Sequence, residues 1–296
     1  MIQPPPETNS PLTAREALRL GAERLREAQI LSAALDMSLI LAEALGLSRL
    51  GLYLDLDRPL SSAERHSARA MLARRLRHEP IAYILGRREF FGLCFEVTPA
   101  VLVPRPETEH LVEELVVWLK AREQSLPEPL LADIGTGSGA IAVAAAHAAQ
   151  GSQWIATDVS PAALEVARRN ARRHGVEARI RFRLGSLLEP LGETLDGLCA
   201  NLPYVAESER EALAPDVARW EPPGALFSGP DGLDLLRAMI AAAPERLRAG
   251  GVILLECGAG QAETVAALLA EGGAFHAVRT INDLAGLGRV VMAERR

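Results

Sequence analysis

Asn201, Leu202, Pro203 and Tyr204 follow directly on the apolar run LDGLCA. Proline has no N–H to give to a ladder, so a strand formed by that run stops at this turn. The residue types suit one task. The Asn201 side-chain oxygen and the Leu202 main-chain carbonyl are two acceptors side by side. They match the two N–H bonds of a planar amide or amino group. Holding such a group by both bonds keeps it in line and pushes electron density onto its nitrogen, which is otherwise a poor nucleophile. Pro203 stiffens the turn, and Tyr204 offers a face for a planar group to stack on. A plain Asn-Pro turn would contain the same residues, so the surroundings must decide.

The stretch ADIGTGSGAIA ends an apolar strand at Asp133 and opens a helix. Between them lie Gly135, Thr136, Gly137, Ser138 and Gly139. Such a loop turns tightly and lets a ligand approach the backbone closely. Free N–H groups at the helix start favour polar or anionic groups. The spacing is GxGxG, not the GxGxxG of a dinucleotide fold. In WIATDVS, Asp158 ends the next strand, where a carboxylate can accept from both hydroxyls of a ribose. Asp158 could instead cap the helix that follows, but Ser160 fills that role better. Asp133, flanked by apolar residues, would be stabilised in its charged form by a cationic ligand.

These residues need strands and helices to carry them. From about Thr13 to Arg77 the pattern is helical, with Leu18 and Leu25 on one stripe of the first helix. Capping boxes are expected at Thr13–Glu16 and Ser61–Glu64, and Gly46 should close a second helix. Pro80 ends the helical region. Aromatic and β-branched residues around Gly92 and Pro99 then suggest a β-hairpin, and Pro106 opens a helix with acids in its first turn. Beyond EQSLPEP, strands and helices alternate: LLADIG, GAIAVAAAHAA, WIATDV, PAALEVARRNARRHG, ARIRFRLG, LDGLCANLP, GLDLLRAMIAAAPERLRAG, GVILLECG, QAETVAALLAEGG, FHAVRTI and GRVVMAE. That alternation predicts a mostly parallel sheet covered by helices on both faces. Its ligand site belongs beyond the carboxyl ends of the strands.

Composition narrows the chemistry. The chain has 296 residues, is 49% hydrophobic and 24% charged, and carries a net charge of −6. No apolar run is long enough to span a bilayer, and the start MIQPPPETNS lacks the features of a secretory leader. A cytoplasmic protein with no membrane association is expected. Cys94, Cys199 and Cys257 show no ligand spacing, and the six histidines form no metal motif, so no metal is expected. The negative charge argues against direct binding of nucleic acid, although ARRLRH and GRRE could make a local basic patch.

DxGxGxG followed by an acid after the second strand resembles the class I S-adenosylmethionine-dependent methyltransferases. The NLPY turn resembles the (Asp/Asn)-Pro-Pro-Tyr motif of amino- and amide-directed N-methyltransferases, with Leu202 in place of the first proline. PIAYILGRREFFGLCFEVTPAVLVPRPETEHLVE, LADIGTGSGAIA, NLPYV, EPPGALFSGPDGLDLLR and LAGLGRVV, in this order, resemble the PrmC/HemK family of peptide chain release factor glutamine methyltransferases. The resemblance runs from about Leu12 to the C-terminus.

It implies a Rossmann-like seven-stranded, mostly parallel α/β domain over residues 109–296. A helical docking domain over residues 1–80 and a hairpin linker over residues 81–108 would precede it. It implies S-adenosyl-L-methionine as cofactor, held by Gly135 through Gly139, Asp158, the Ser186–Leu187 region near the adenine, and Asn201. It implies that Asn201, Leu202, Pro203 and Tyr204 hold the substrate amide, with Asn201, Pro203 and Tyr204 catalytic. The substrate would be the glutamine of the GGQ loop of class-1 release factors. The family often has an acid where Ser186 stands. Arg105 and Glu107 are candidates for the site entrance, and Glu221-Pro222 for a loop beside it.

Alternatives remain at this point. A ribosomal-protein glutamine methyltransferase would share the catalytic domain. A nucleic-acid amino-methyltransferase would need a basic face or a recognition insert. A non-catalytic cofactor-binding module would not need Asn201 and Tyr204 together. A nicotinamide dehydrogenase is disfavoured by the GxGxG spacing and by the lack of a hydride-site His or Lys.

Overall fold

The computed structural model describes residues 12–296. The chain divides into two compact units, Met1–Leu85 and Gly86–Arg296. The hairpin after Pro80 lies in the second.

The first unit holds α1 (Ala14–Glu27), α2 (Ala33–Leu45), α3 (Arg49–Leu54), α4 (Ser62–Arg75) and α5 (Ile81–Leu85). Local chemistry sets their ends. Thr13 and Glu16 close a reciprocal capping box on α1, and Ser61 and Glu64 do the same on α4. Gly46 stops α2 in the left-handed conformation, as the apolar pattern running up to it requires. Leu25, Ile40, Leu41 and Leu52 form the fully buried centre of this unit, while Leu18 is only half-buried on the same stripe. One ion pair lies inside: Arg75 Nε donates to Asp36 Oδ2 at 2.7 Å, and both side chains are buried. Ser32 Oγ also donates to that oxygen.

The second unit opens with the antiparallel hairpin β1 (Arg87–Phe90) and β2 (Leu93–Glu96), turning through Phe91 and Gly92 with positive φ at both. Then follow α6 (Thr108–Arg122), β3 (Leu130–Ile134), α7 (Ala140–Ala148), β4 (Gln153–Asp158), α8 (Pro161–Arg173), β5 (Ile180–Leu184) and β6 (Leu195–Ala200). After α9 (Pro215–Trp220) and α10 (Asp234–Ala242) come β7 (Leu247–Glu256), α11 (Ala262–Ala270), β8 (Phe275–Asn282) and β9 (Gly288–Arg295). Seven strands form one sheet in the order β5-β4-β3-β6-β7-β9-β8, all running one way except β9, which is antiparallel to both its neighbours, β7 and β8. Both faces are covered. Helices α6 and α7 pack on one side with Phe90 and Phe95 of the hairpin, and α10 and α11 on the other. The alanines of α7 are buried almost throughout, and their small side chains let the helix lie close to the strands.

The expected helix over GLDLLRAMIAAAPERLRAG ends early. It stops at Ala242, and residues 243–245 make a single tight turn. Pro244 has no N–H to continue the helical ladder. Leu195 N then donates to the Arg246 carbonyl at 2.7 Å, and the chain enters β7 at Leu247. Between the NLPY turn and α10 the structure also holds short helical turns at 207–212 and 223–225, besides α9, which had no counterpart in the sequence reading.

Among the described residues, no helix is long and apolar enough to cross a membrane. Nor do any three His, Cys, Asp or Glu side chains cluster as a metal site would need.

Candidate active site

The parallel strands β3, β4 and β6 end at one edge of the sheet and carry Asp133, Asp158 and Asn201 to it. A cavity of about 240 Å³ opens there. Gly135, Thr136, Gly137, Ser138, Asp158, Ser186, Leu187, Asn201, Leu202 and Pro203 line it together. Gly139 and Tyr204 are not among the lining residues.

The glycine loop is held from several sides. Thr136 N donates to the Thr157 carbonyl and Gly139 N to the Thr136 carbonyl, both at 2.8 Å. At Gly139, φ is +82° and an added Cβ would stand 3.2 Å from Ala167 Cβ, so only glycine lets α7 start against α8. Asn170, fully buried, donates to the Ser138 carbonyl at 2.9 Å and to the Glu96 carbonyl at 3.0 Å. Its Oδ1 accepts from Glu96 N at 2.7 Å. One amide thus stitches the loop to the hairpin.

Two acids flank the loop. Asp158 Oδ2 accepts from Gly137 N and Oδ1 from Ser160 N, both at 2.9 Å. Ser160 caps α8 by itself through Ala163 N. Burial pushes the Asp158 carboxyl up, against the hydrogen bonds that favour its charge. Asp133 is fully buried. Its Oδ2 accepts from Thr136 Oγ1 at 2.6 Å and from Ala142 N at 3.2 Å, while Oδ1 has no partner. Burial raises its pKa to about 6, opposed by those two hydrogen bonds and helped by the nearby Asp158 charge.

This arrangement fits a cofactor with a cationic centre and a ribose. Asp158 keeps free lone pairs at the cavity wall after its two backbone bonds. Asp133 is a buried acid with an unpartnered oxygen, which a nearby positive charge would stabilise. At the far wall Leu187 has a positive φ, and its carbonyl accepts from Thr157 Oγ1 at 3.5 Å.

The NLPY turn faces this loop. Asn201 Nδ2 donates to Thr108 Oγ1 at 3.0 Å. Among the described residues neither Asn201 Oδ1 nor the Leu202 carbonyl accepts a hydrogen bond. The side chain of Leu202 packs inward, 3.0 Å from where a Cβ on Gly135 would lie. Tyr204 Oη donates to Glu256 Oε1 at 3.4 Å, and the Tyr204 carbonyl accepts from Gln261 Nε2 at 3.0 Å. Burial and the Glu256 charge push the Tyr204 hydroxyl up.

Arg105 lines the cavity and donates to Glu221 Oε1 at 2.7 Å. Glu221 is buried, and its other oxygen accepts from Val103 N at 3.4 Å. This pair ties the segment before α6 to the loop at Pro222, which also lines the cavity. Glu107 does not line it, but its charge acts on Tyr204 and Glu256.

Thr108, Asn170 and Glu256 are absent from the sequence reading. Glu256 carried a usable signal: it is an acid at the end of the apolar strand VILLE, the pattern that marked Asp133 and Asp158. Thr108 and Asn170 carried none.

Comparison with known proteins agrees with this geometry. The family model for the PrmC N-terminal domain matches residues 16–86, and that for a methyltransferase domain matches residues 131–224. A release factor glutamine methyltransferase from Geobacter sulfurreducens is 43% identical over 280 residues, covering 94% of this chain and 95% of the relative. One from Bradyrhizobium diazoefficiens is 40% identical over 293 residues, covering 98% of each. A crystal structure of a methyltransferase from Pyrococcus furiosus superposes with a TM-score of 0.50 at 18% identity, over 78% of this chain and 98% of that one, a likeness of fold. The sheet order and the near-complete match to these relatives lead to one assignment: the chain has the class I methyltransferase fold and belongs to the release factor glutamine methyltransferase family.

Proposed function

We propose that this protein methylates the side-chain amide nitrogen of the glutamine in the GGQ motif of class-1 peptide chain release factors, using S-adenosyl-L-methionine. The observation that carries this reading is the orientation of Asn201. Its nitrogen is engaged by Thr108 at 3.0 Å, which leaves Oδ1 as an acceptor at the cavity. Oδ1 and the Leu202 carbonyl take the two N–H bonds of the glutamine amide, so its nitrogen faces the cofactor side of the cavity. Pro203 holds the turn, and Tyr204 supports it from beneath through its carbonyl and hydroxyl bonds.

The bound cofactor supplies an electrophilic methyl group on a sulfonium. Gly135, Thr136, Gly137 and Ser138 would hold its amino acid tail, with Gly139 shaping the loop behind them, Asp158 would receive the ribose hydroxyls, and Ser186 and Leu187 would hold the adenine. The Leu202 substitution is compatible with this role, because the acceptor at that position is a main-chain atom.

Residues 1–80 serve as a docking domain for the release factor, residues 81–108 as a hairpin linker and residues 109–296 as the catalytic domain. A translation factor as substrate assigns the reaction to the cytoplasm. The test is transfer of labelled methyl to a purified class-1 release factor, beside the same factor with its GGQ glutamine replaced. Label on the first alone is expected. Equal label on both, or on neither while the cofactor binds, would remove the glutamine assignment.

A further inference from the structure

Two charged side chains line the cavity, Asp158 and Arg105. Asp158 stands at the glycine loop, where Gly137 N donates to it, and Asp133, buried at the end of β3, keeps an orphaned oxygen. That part of the cavity is negative. It suits the sulfonium, the ammonium and the ribose hydroxyls of S-adenosyl-L-methionine. The cofactor also carries one anion, the carboxylate of its amino acid tail. Beside these two acids a carboxylate would meet like charge. The loop also has few donors left for it. Thr136 N, Gly137 N and Gly139 N already donate within the protein, and Ala142 N of α7 is taken by Asp133.

Among the described residues, Arg105 is the one Lys, Arg or His that lines the cavity. Its main chain is tied to the end of β6. The Arg105 carbonyl accepts from Thr108 N at 3.1 Å, and Thr108 Oγ1 accepts in turn from Asn201 Nδ2. Its guanidinium is held by Glu221, to which Nη2 donates at 2.7 Å. The Glu221 side chain is 2% exposed and is not among the lining residues, whereas that of Arg105 is 29% exposed. Glu221 therefore grips the guanidinium from the protein side and leaves it open to the cavity. A guanidinium has five N–H donors in a planar fork that matches a carboxylate. Among the described residues Glu221 is the only side chain to which Arg105 donates, so donors remain for a second acceptor.

We propose that Arg105, oriented by Glu221, binds the carboxylate of the cofactor's amino acid tail. The cavity then offers each charged end of the cofactor a group of opposite sign: acids at the glycine loop for the cations, and Arg105 for the anion. This rests on S-adenosyl-L-methionine as the cofactor and is independent of which amide is methylated.

The test measures binding by calorimetry to full-length protein, with two ligands. One is S-adenosylhomocysteine. The other is its decarboxylated analogue, which keeps the adenine, ribose, sulfur and ammonium and lacks only the carboxylate. Arg105→Gln should weaken S-adenosylhomocysteine by roughly 10-fold to 100-fold, the range for losing a hydrogen bond to a charged group. The analogue should bind it as it binds the wild type. Arg105→Lys, which keeps the charge and loses the fork, should fall between wild type and Arg105→Gln. Arg105→Gln leaves Glu221 buried without its partner and can fail to fold. The double variant Arg105→Gln with Glu221→Gln leaves no unpaired charge. It should show the same selective loss, and its undiminished binding of the analogue verifies the fold.

Equal weakening of both ligands would overturn the proposal, because Arg105 would then shape the cavity without touching the carboxylate. So would wild-type affinity for S-adenosylhomocysteine in Arg105→Gln, above all if KM for the release factor rose, which would place Arg105 with the protein substrate. Failure of the cofactor reading looks different: the wild type itself would bind neither ligand. A wild type that binds S-adenosylhomocysteine but leaves the GGQ glutamine unlabelled would remove the glutamine assignment and keep this one.

Discussion

Asp36 in the helical unit and Glu256 in the second unit are both at most 2% exposed, but their surroundings differ. Asp36 has Arg75 at 2.7 Å and a serine hydroxyl on the same oxygen. Glu256 has one long hydrogen bond and an oxygen with no partner, and Asp133 likewise keeps an orphaned oxygen. A buried carboxylate without a partner costs stability. The helical unit neutralises its buried acid. In the second unit Asp196 is paired with Arg248, but Asp133 and Glu256, at the carboxyl ends of β3 and β7, have no cationic partner at salt-bridge distance among the described residues. The difference separates an acid that holds a fold together from acids kept for a site, and it can be tested from both sides.

The largest effect is expected where the acid is paired. Asp36→Ala removes the carboxylate that accepts from Arg75 Nε and breaks this buried pair, a change that costs about 3–5 kcal/mol. Hydrogen exchange read by mass spectrometry should show loss of protection in α1, α2 and α4, with β3 and β4 unaffected. Replacing both partners by apolar residues of similar size should cost much less than either single change. Unchanged protection in Asp36→Ala would mean that this pair is not structural, and the contrast with Glu256 would collapse.

At the site, Asn201→Ala should leave the fold intact and lower kcat by about 10²–10³, the range for losing one preorganised polar contact to the reacting group. S-adenosylhomocysteine binding should weaken far less than kcat falls, because Asn201 would be only one of the groups lining the cofactor cavity. A fall in binding equal to the fall in kcat would place Asn201 with the cofactor alone.

The unpaired acids should also make stability depend on pH. The folded pKa of Asp133, about 6, lies above its ordinary value of 3.8. Its contribution is therefore full below the ordinary value and is lost as pH rises through the folded one. That loss is on the order of 3 kcal/mol, and Glu256 adds a loss of the same sign toward neutral pH. Urea unfolding of wild type and Asp133→Asn at pH 4.5 and pH 7 should show the wild type losing more stability over that interval. Equal losses would mean that Asp133 is not held in its neutral form by burial.

What was legible in the sequence divides along the same line. Features set within a few residues were visible: the Thr13–Glu16 and Ser61–Glu64 boxes, the Gly46 stop, the turn at Gly92. So were the strand-end acids Asp133 and Asp158, because an acid after an apolar run announces itself. Glu256 was legible by the same rule and was passed over, since VILLECG reads as an ordinary core strand when nothing yet places it beside β6. Thr108 was not legible. It lies 93 residues from Asn201 in the chain, and only the sheet order brings the start of α6 to the end of β6. Asn170, which ties Ser138 to Glu96, is hidden for the same reason. The end of α10 was misread although Pro244 marks it. The turns over residues 207–225 are too short for periodicity to register.

The smallest effect tests the helical unit by its local chemistry alone. Thr13→Ala removes the side-chain acceptor for Glu16 N at the start of α1 and half of the box. Such a cap contributes about 1 kcal/mol. Fraying should reach only the first turn of α1, seen as faster exchange there, while the interior of α2, where Asp36 meets Arg75, stays protected. If the proposed docking role is right, the frayed end should also raise KM for the release factor by no more than a few-fold and leave kcat alone, because no group of the cavity belongs to this unit. A drop in kcat with KM unchanged would show that the helical unit reaches the chemistry by some route other than docking.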